Sequence, residues 1–294
     1  MTNWKANALL IVAGAMWGMG FVAQSTAMTD LGPLLFIGLR FLAGTVSILP
    51  FAVREARNSK ELSRSDRMAF AGIGVLLFAG MTAQQFGLLT TSVTNSGFLT
   101  GLYVVLVPFL SVLLFRTYPH PIVWPAATAA FAGIWLLSGG GISQLKTGDW
   151  LTVLCAAIWA IQVVLIARYA TSTGRPIALA VSQFAVCSLF GLVGAAAYEP
   201  IDIAAIGRAL PEILYSGIFS GGIAFTLQAV GQRYTSSSQA AIFLSSEAVF
   251  AAIFGAWFLG ERIGAMGYAG CALIFAAIIA VEALPPLFTR RARA

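Results

Sequence analysis

Charge is scarce in this 294-residue sequence: Asp, Glu, Lys and Arg together make up 10% of it. Soluble domains carry about 25% charged residues, so this chain has too little polar surface to cover itself in water, and a soluble globule is excluded. Histidine occurs once, at His120, between two prolines. The three cysteines, Cys155, Cys187 and Cys271, fall inside apolar stretches with no CxxC spacing, which argues against a disulfide framework and against a zinc site. The phosphate-cradling GxxxxGK[ST] loop is missing, as are HExxH and GxSxG. The chain therefore has no ATPase of its own and no zinc or serine protease motif, and we expect no metal, no cofactor and no enzymatic activity. An arginine-rich voltage sensor and a TVGYG-like filter are also lacking, which weakens an ion-channel reading. The net charge of +6 comes from basic residues scattered among short loops, not gathered on one face, so a nucleic-acid partner is not expected.

What is present is apolar length. Hydrophobic residues make up 59% of the chain, with a mean hydropathy of +0.87. A membrane-spanning helix needs roughly 20 mostly apolar residues. Ten such stretches can be marked: 5–27, 32–53, 68–89, 94–115, 121–138, 149–168, 176–197, 211–232, 237–258 and 264–284. The run after Lys5 is too long for a signal-peptide core and is read as a retained first helix. No stretch alternates like a barrel strand, so the expected fold is an all-α polytopic membrane protein of ten transmembrane helices. With the N-terminus in the cytoplasm, 13 of the 17 basic residues fall on that side. The opposite side receives Lys146, Arg208 and Arg262 with six acids, so the Lys/Arg bias places both termini inside a bacterial-type inner membrane.

Sliding the second half back by 142 to 144 residues aligns Trp17 with Trp159, Gln84 with Gln228, Gly87 with Gly231, and Thr91-Ser92 with Thr235-Ser236. Two five-helix units follow, residues 1–144 and 145–294. Five is odd, so the second unit enters the membrane from the other side. Inverted repeats around a central cavity are the signature of alternating-access transporters.

Ionisable side chains within a span cost roughly 2.5 to 3.5 kcal/mol and call for a partner, a wet cavity or a function. Glu247, at the centre of the ninth span, is read either as a cavity carboxylate for a solute amine or a proton, or as the partner of Arg40, Ser245 or Ser246. Arg40 itself is read as snorkelling outward or tying helices together, with a functional role such as gating as the alternative. Aromatic and amide side chains at helical spacing supply the remaining candidate walls: Trp17 with Phe21 and Gln24, Trp159 with Gln162, Gln84, Tyr103, Phe225 with Gln228, and Phe243 beside Glu247. Packing is the competing explanation for each of these. Pro108 removes a backbone hydrogen bond within the fourth span and is expected to kink it, as a gating hinge or as a static bend. Small-xxx-small pairs at Gly14/Gly18, Gly97/Gly101 and Gly217/Gly221 allow close helix approach.

Trp17-Gly18-Met19-Gly20-Phe21, Pro33 and Arg40, and Glu247 followed by Leu259-Gly260-Glu261 resemble the EamA-type pattern of the drug/metabolite transporter superfamily, and most closely its YddG-type amino-acid and metabolite exporters. Two positions depart from it: Ala248 follows Glu247 where proline is common, and Phe115-Arg116 stands where the first repeat would carry Gly-Glu. The resemblance implies a basket-like bundle that exports small amphipathic solutes, such as amino acids, without ATP. A channel-like facilitator, or a multidrug or nucleoside exporter of the same fold, is the alternative, and a membrane-embedded enzyme is less favoured. The expected partners are a small solute and the bilayer, with the protein a monomer. One central carboxylate is compatible with proton coupling without demanding it.

Overall fold

The computed structural model describes residues 1–137, 146–262 and 264–291. The proposed boundary between units at 144/145 lies outside the described residues, as do the side chains of Arg290, Arg291 and Arg293 from the charge count. The first unit contains α1 (Asn3–Ala27), α2 (Pro33–Arg57), α3 (Arg64–Gly87), α4 (Val93–Thr100), α5 (Tyr103–Phe115) and α6 (Val123–Leu137). The second contains α7 (Thr147–Thr173), α8 (Pro176–Tyr198), the short α9 (Ile203–Arg208) and α10 (Leu210–Leu214), a π-helical segment Tyr215–Ile223, α11 (Ala224–Gly231), α12 (Ser237–Leu244), α13 (Ser246–Leu259) and α14 (Ala265–Arg291). Eight helical stretches among the described residues are long and apolar enough to cross a membrane, and Val123–Leu136 and Ala265–Val281 are shorter apolar helices. The molecule is an all-α, multi-span membrane protein of ten helical spans in two units.

Local chemistry sets the helix ends. Ser63 and Asp66 form a reciprocal capping box at the start of α3. Ser92 and Ser236, at matching places in the two units, accept from the Asn95 and Gln239 backbone N–H groups. Pro33 and Pro176 open α2 and α8, where a missing N–H costs nothing. Some helices run beyond their apolar stretches: α2 continues through Arg54 and Arg57 because a helix keeps its hydrogen bonds in water after the apolar run ends.

The packing is reciprocal. α2 lies against α8 and α6 against α14, each pair made of equivalent spans from the two units. The α3–α7 contact has its counterpart where α1 meets α11 and the π-helical segment. Two carboxylates show the same relation at opposite ends of the bundle. Glu199, just after α8, accepts from the Leu34 and Leu35 N–H groups at the start of α2, both at 2.8 Å. Glu55, in the last turns of α2, accepts from Ile177 N at 3.1 Å and Ala178 N at 2.8 Å at the start of α8. Each puts a negative charge on free N–H groups at the positive end of a helix dipole. The central spans come closer than side chains would allow: a Cβ on Gly18 would sit 2.7 Å from Ala251 N, and one on Gly217 would sit 2.5 Å from Arg40 O. Large apolar side chains such as Val46, Leu113, Leu189 and Trp257 point outward, as a lipid-facing surface requires.

Candidate functional site

Three spans lose regular helix geometry inside the apolar zone. The fourth span breaks at Gly101–Leu102, between α4 and α5, and the ninth breaks at Ser245, between α12 and α13. Gly101 and Ser245 are 144 residues apart, so the breaks are equivalent in the two units. The break in the fourth span comes before Pro108, which sits within α5. The third irregularity is the π-helical stretch in the eighth span, whose Ser220 carbonyl accepts from Trp17 Nε1 at 2.9 Å. Broken and π-bulged helices in a membrane free backbone groups where a cavity can use them.

The π-helical segment, through Ser220, and the helix after the ninth-span break, through Glu247, join α1, α2, α3 and α7 around a central chamber of about 10 Å³ lined by Trp17, Phe21, Gln24, Arg40, Met81, Gln84, Trp159, Ser220 and Glu247. A volume of that size is about one water molecule's worth, so the chamber is closed around itself in this state. Trp17 and Trp159, the repeat-related pair, face each other with ring centroids 6.2 Å apart. Phe225 packs against Trp17 in a tilted arrangement, ring centroids 4.8 Å apart, and in turn meets Phe184 edge-on at 5.6 Å.

Of the residues expected at the cavity, Trp17, Gln84, Trp159 and Glu247 share its wall. Arg40, expected to tie helices or to gate, joins them there. Tyr103 lies beside the Glu247 carboxyl, but its hydroxyl does not reach hydrogen-bonding geometry. Gln228 and Phe243 are buried nearby without lining the chamber. Gln162 donates to Gln183 Oε1 at 2.8 Å and is absent from the lining. Met81 and Ser220 were not anticipated. Met81 carries no polar signal, and Ser220 acts through a backbone carbonyl that only the π-helix exposes; the glycine-dense run around it was the available hint.

The electrostatics of the chamber are unbalanced. Arg40 is 1% exposed and Glu247 0%, yet they form no ion pair; among the described residues the one salt bridge is Arg208–Asp30. Arg40 Nε and Nη1 and both Glu247 carboxylate oxygens have no hydrogen-bond partner, nor do Ser246 Oγ and Trp159 Nε1. The Arg40 guanidinium rests over the Phe41 ring at 4.8 Å and the Phe36 ring at 5.6 Å, which hold it in place but satisfy no N–H. A buried charge without a partner is costly. Here a guanidinium and a carboxyl group are both left without hydrogen-bond partners in the same chamber.

The two ends of the bundle differ. On the face bearing the termini, a cavity of about 390 Å³ opens between α5, α7 and the α11–α12 turn, with Ser111, Val164, Gln232 and Ser237 in its wall. The repeat-equivalent positions at the opposite face are Gly255, Val22, Leu88 and Val93. Val22, Leu88 and Val93 there belong to a closed apolar cluster with Phe21 and Ala251. Carboxylates fasten that closed end. Glu261 accepts from Val93 N at 3.1 Å, from Thr94 N at 3.0 Å and from the Thr94 hydroxyl. Asp149 accepts from Thr91 Oγ1 and Asn95 Nδ2, both at 2.6 Å. A groove of about 790 Å³ lies outside this latch, and Asp149 and Glu261 form part of its wall. Further along the same face, Arg208 Nε donates to Asp30 Oδ1, and that hydrogen bond with the carboxylate's charge raises the pKa of the exposed Arg208 guanidinium above its ordinary value.

The comparisons agree with this architecture. A family model described as the EamA-like transporter family matches residues 4–139 and 146–282. An uncharacterized transporter of Archaeoglobus fulgidus is 31% identical over 274 residues, covering 93% of this chain and 84% of that protein. The uncharacterized transporter YwfM of Bacillus subtilis is 26% identical over 285 residues, covering 94% of this chain and 93% of that protein. A solved crystal structure shares the fold with a TM-score of 0.78 at 17% identity, covering 95% of this chain and 96% of that one.

Proposed function

The chain belongs to the EamA-like transporter family, whose members are membrane transporters and not enzymes, and from that premise we propose that it exports amino acids or similar small zwitterionic metabolites. The observation that carries this reading is the pair of buried, unpartnered and opposite charges, Arg40 and Glu247, in one aromatic-walled chamber. An α-amino acid supplies the missing partners in a single molecule: its carboxylate meets the Arg40 guanidinium, its ammonium meets Glu247, and its side chain packs on Trp17, Trp159 and Met81. Gln84 and Gln24 supply amide groups to the polar end. Tyr103, beside Glu247, together with Gln228 and Phe243 behind the wall, supports that carboxylate's position. Gln162 acts as a buttress through Gln183.

The units at residues 1–144 and 145–294 alternate access, opening the chamber to one face at a time. The Lys/Arg bias supports a cytoplasmic terminal face with both ends inside, and in that orientation the cavity on that face loads solute for export. The breaks at Gly101 and Ser245, with Pro108 stiffening α5, are the hinges. At about 10 Å³ the chamber is smaller than an amino acid, so in this reading binding widens it.

Counterflow in proteoliposomes tests this. Vesicles loaded with unlabelled alanine, leucine or phenylalanine are expected to accumulate the labelled amino acid transiently above equilibrium, with saturation. Labelled ethylamine and labelled uridine are expected to accumulate far less. Flux that never saturates and shows no counterflow would instead identify a pore. A pH gradient imposed in the same assay reports whether a proton shares Glu247.

A further inference from the structure

We propose that the cavity on the terminal face is an antechamber that captures the carboxylate of an incoming solute before it reaches the central site. It is a built pocket of about 390 Å³, and the charged side chain in its wall is a cation, Arg168. No acidic side chain lines it among the described residues. The Arg168 guanidinium lies over the Phe115 ring at 5.7 Å, which fixes it at the mouth. The adjoining positions Arg116 and Arg233 add positive charge at the same end of the bundle.

The deeper wall is made of neutral donors and acceptors. Ser111 Oγ and Ser237 Oγ bond to each other at 2.8 Å. Gln232 is 1% exposed and donates to the Val163 carbonyl, but its Oε1 has no partner although it lies on the cavity wall. A cationic rim over a hydroxyl-lined floor suits a small anion with further polar groups, and that is the carboxylate end of an amino acid.

The cavity also points toward the central site. One turn inward from Ser111, Val164 and Ser237 lie Val107, Ala160 and Ala241, all 0% exposed and members of one core cluster. One turn further are Tyr103, Ala156 and Ser245, and then Glu247. The barrier between antechamber and chamber is thus made largely of small side chains, the least material that could separate them. At the opposite face the equivalent ground is filled by the Val22, Leu88 and Val93 cluster, so the polar antechamber belongs to one side only.

The inference rests on the solute class proposed above, and its test reads the antechamber alone. Ser237→Cys, with Ser111→Cys as a second position, would be labelled from the terminal face by membrane-impermeant thiosulfonates of opposite charge. A local potential of about one kT gives a roughly sevenfold preference for the sulfonate over the trimethylammonium reagent, relative to a free thiol. Propionate is expected to slow labelling and ethylamine to leave it unchanged. Arg168→Gln should abolish both the charge preference and the protection while the protein remains folded and labelled. Equal rates for the two reagents, protection that survives Arg168→Gln, or protection by propionate that appears only when anionic lipid is left out of the vesicles would each overturn the proposal; the last would assign the cavity to lipid headgroups. Loss of the central-site reading would abolish flux effects at Glu247 but would leave this labelling pattern intact.

Discussion

Glu247→Gln is expected to lower amino-acid counterflow by roughly 10- to 100-fold, because a charge-assisted hydrogen bond to a buried group is worth about 1.5 to 3 kcal/mol. Arg40→Gln should produce a loss of similar size through the other end of the solute. The two losses differ in what they select. Without Glu247 the protein should discriminate least against solutes lacking the ammonium group, and without Arg40 least against solutes lacking the carboxylate. In the structure Arg40 and Glu247 form no ion pair with each other or with another side chain among the described residues, so neutralising one breaks no salt bridge, and both variants should fold and insert. This separates a binding role from a structural one: a helix-tying salt bridge would make each single variant unstable, with flux lost in proportion to folded protein. Thermal unfolding in detergent, measured beside flux, keeps the two readings apart. Wild-type flux in both variants would remove the pair from the site.

The second large effect concerns the closed end. Glu261 stands 144 residues after Thr117, so the two units carry a carboxylate and a hydroxyl at equivalent positions. The surrounding backbone is the same in both: Glu261 N donates to Gly255 O, Thr117 N donates to Ser111 O, and each follows a left-handed residue, Gly260 at φ 68° and Arg116 at φ 51°. The carboxylate receives two backbone N–H groups and a hydroxyl at once, and among the described residues this contact between the fourth and ninth spans is made at the opposite face. Glu261→Thr, which copies the first unit's residue, is expected to raise thiol labelling of Val93→Cys from that face by about tenfold, since a population shift of that size needs only about 1.4 kcal/mol of differential stabilisation. Thr117→Glu should act in the other direction, slowing labelling of Ser237→Cys from the terminal face. Labelling of Val93→Cys that stays at its low starting rate in Glu261→Thr would mean the apolar cluster alone closes this end.

Much of the architecture was legible because a bilayer imposes simple rules. Length and apolarity mark the ten spans. The repeat shows through Trp17/Trp159 and Gln84/Gln228, and both tryptophans and Gln84 stand in the chamber wall. Glu247 was legible as an ionisable group in an apolar run. Arg40 was visible for the same reason, but its role was not: a linear pattern cannot separate a guanidinium bonded to carbonyls from one left without partners. The broken spans were harder, since Gly101 and Ser245 are ordinary helix residues in sequence, and the conspicuous breaker, Pro108, lies within an intact α5. The latch was not legible either. Glu261 and Asp149 look like loop acids until the folded chain brings Thr94, Thr91 and Asn95 to them. The repeat offset puts the equivalent of Gly260-Glu261 at Arg116-Thr117, one residue beyond the Phe115-Arg116 expected from the family pattern, and the pairing of Thr117 with Glu261 gives that departure a physical meaning.

The account depends on one chamber offering two opposite charges to one solute. The most direct measurement is calorimetric titration of the purified protein with a neutral amino acid, its methyl ester and its decarboxylated amine. The amino acid should bind at one site per chain, with removal or masking of the carboxylate weakening binding by at least about tenfold, as expected when a buried polar group is left unpaired; in the Arg40→Gln, Glu247→Gln double variant that preference should vanish. Equal affinity for all three ligands, or an undiminished preference in the double variant, would contradict it.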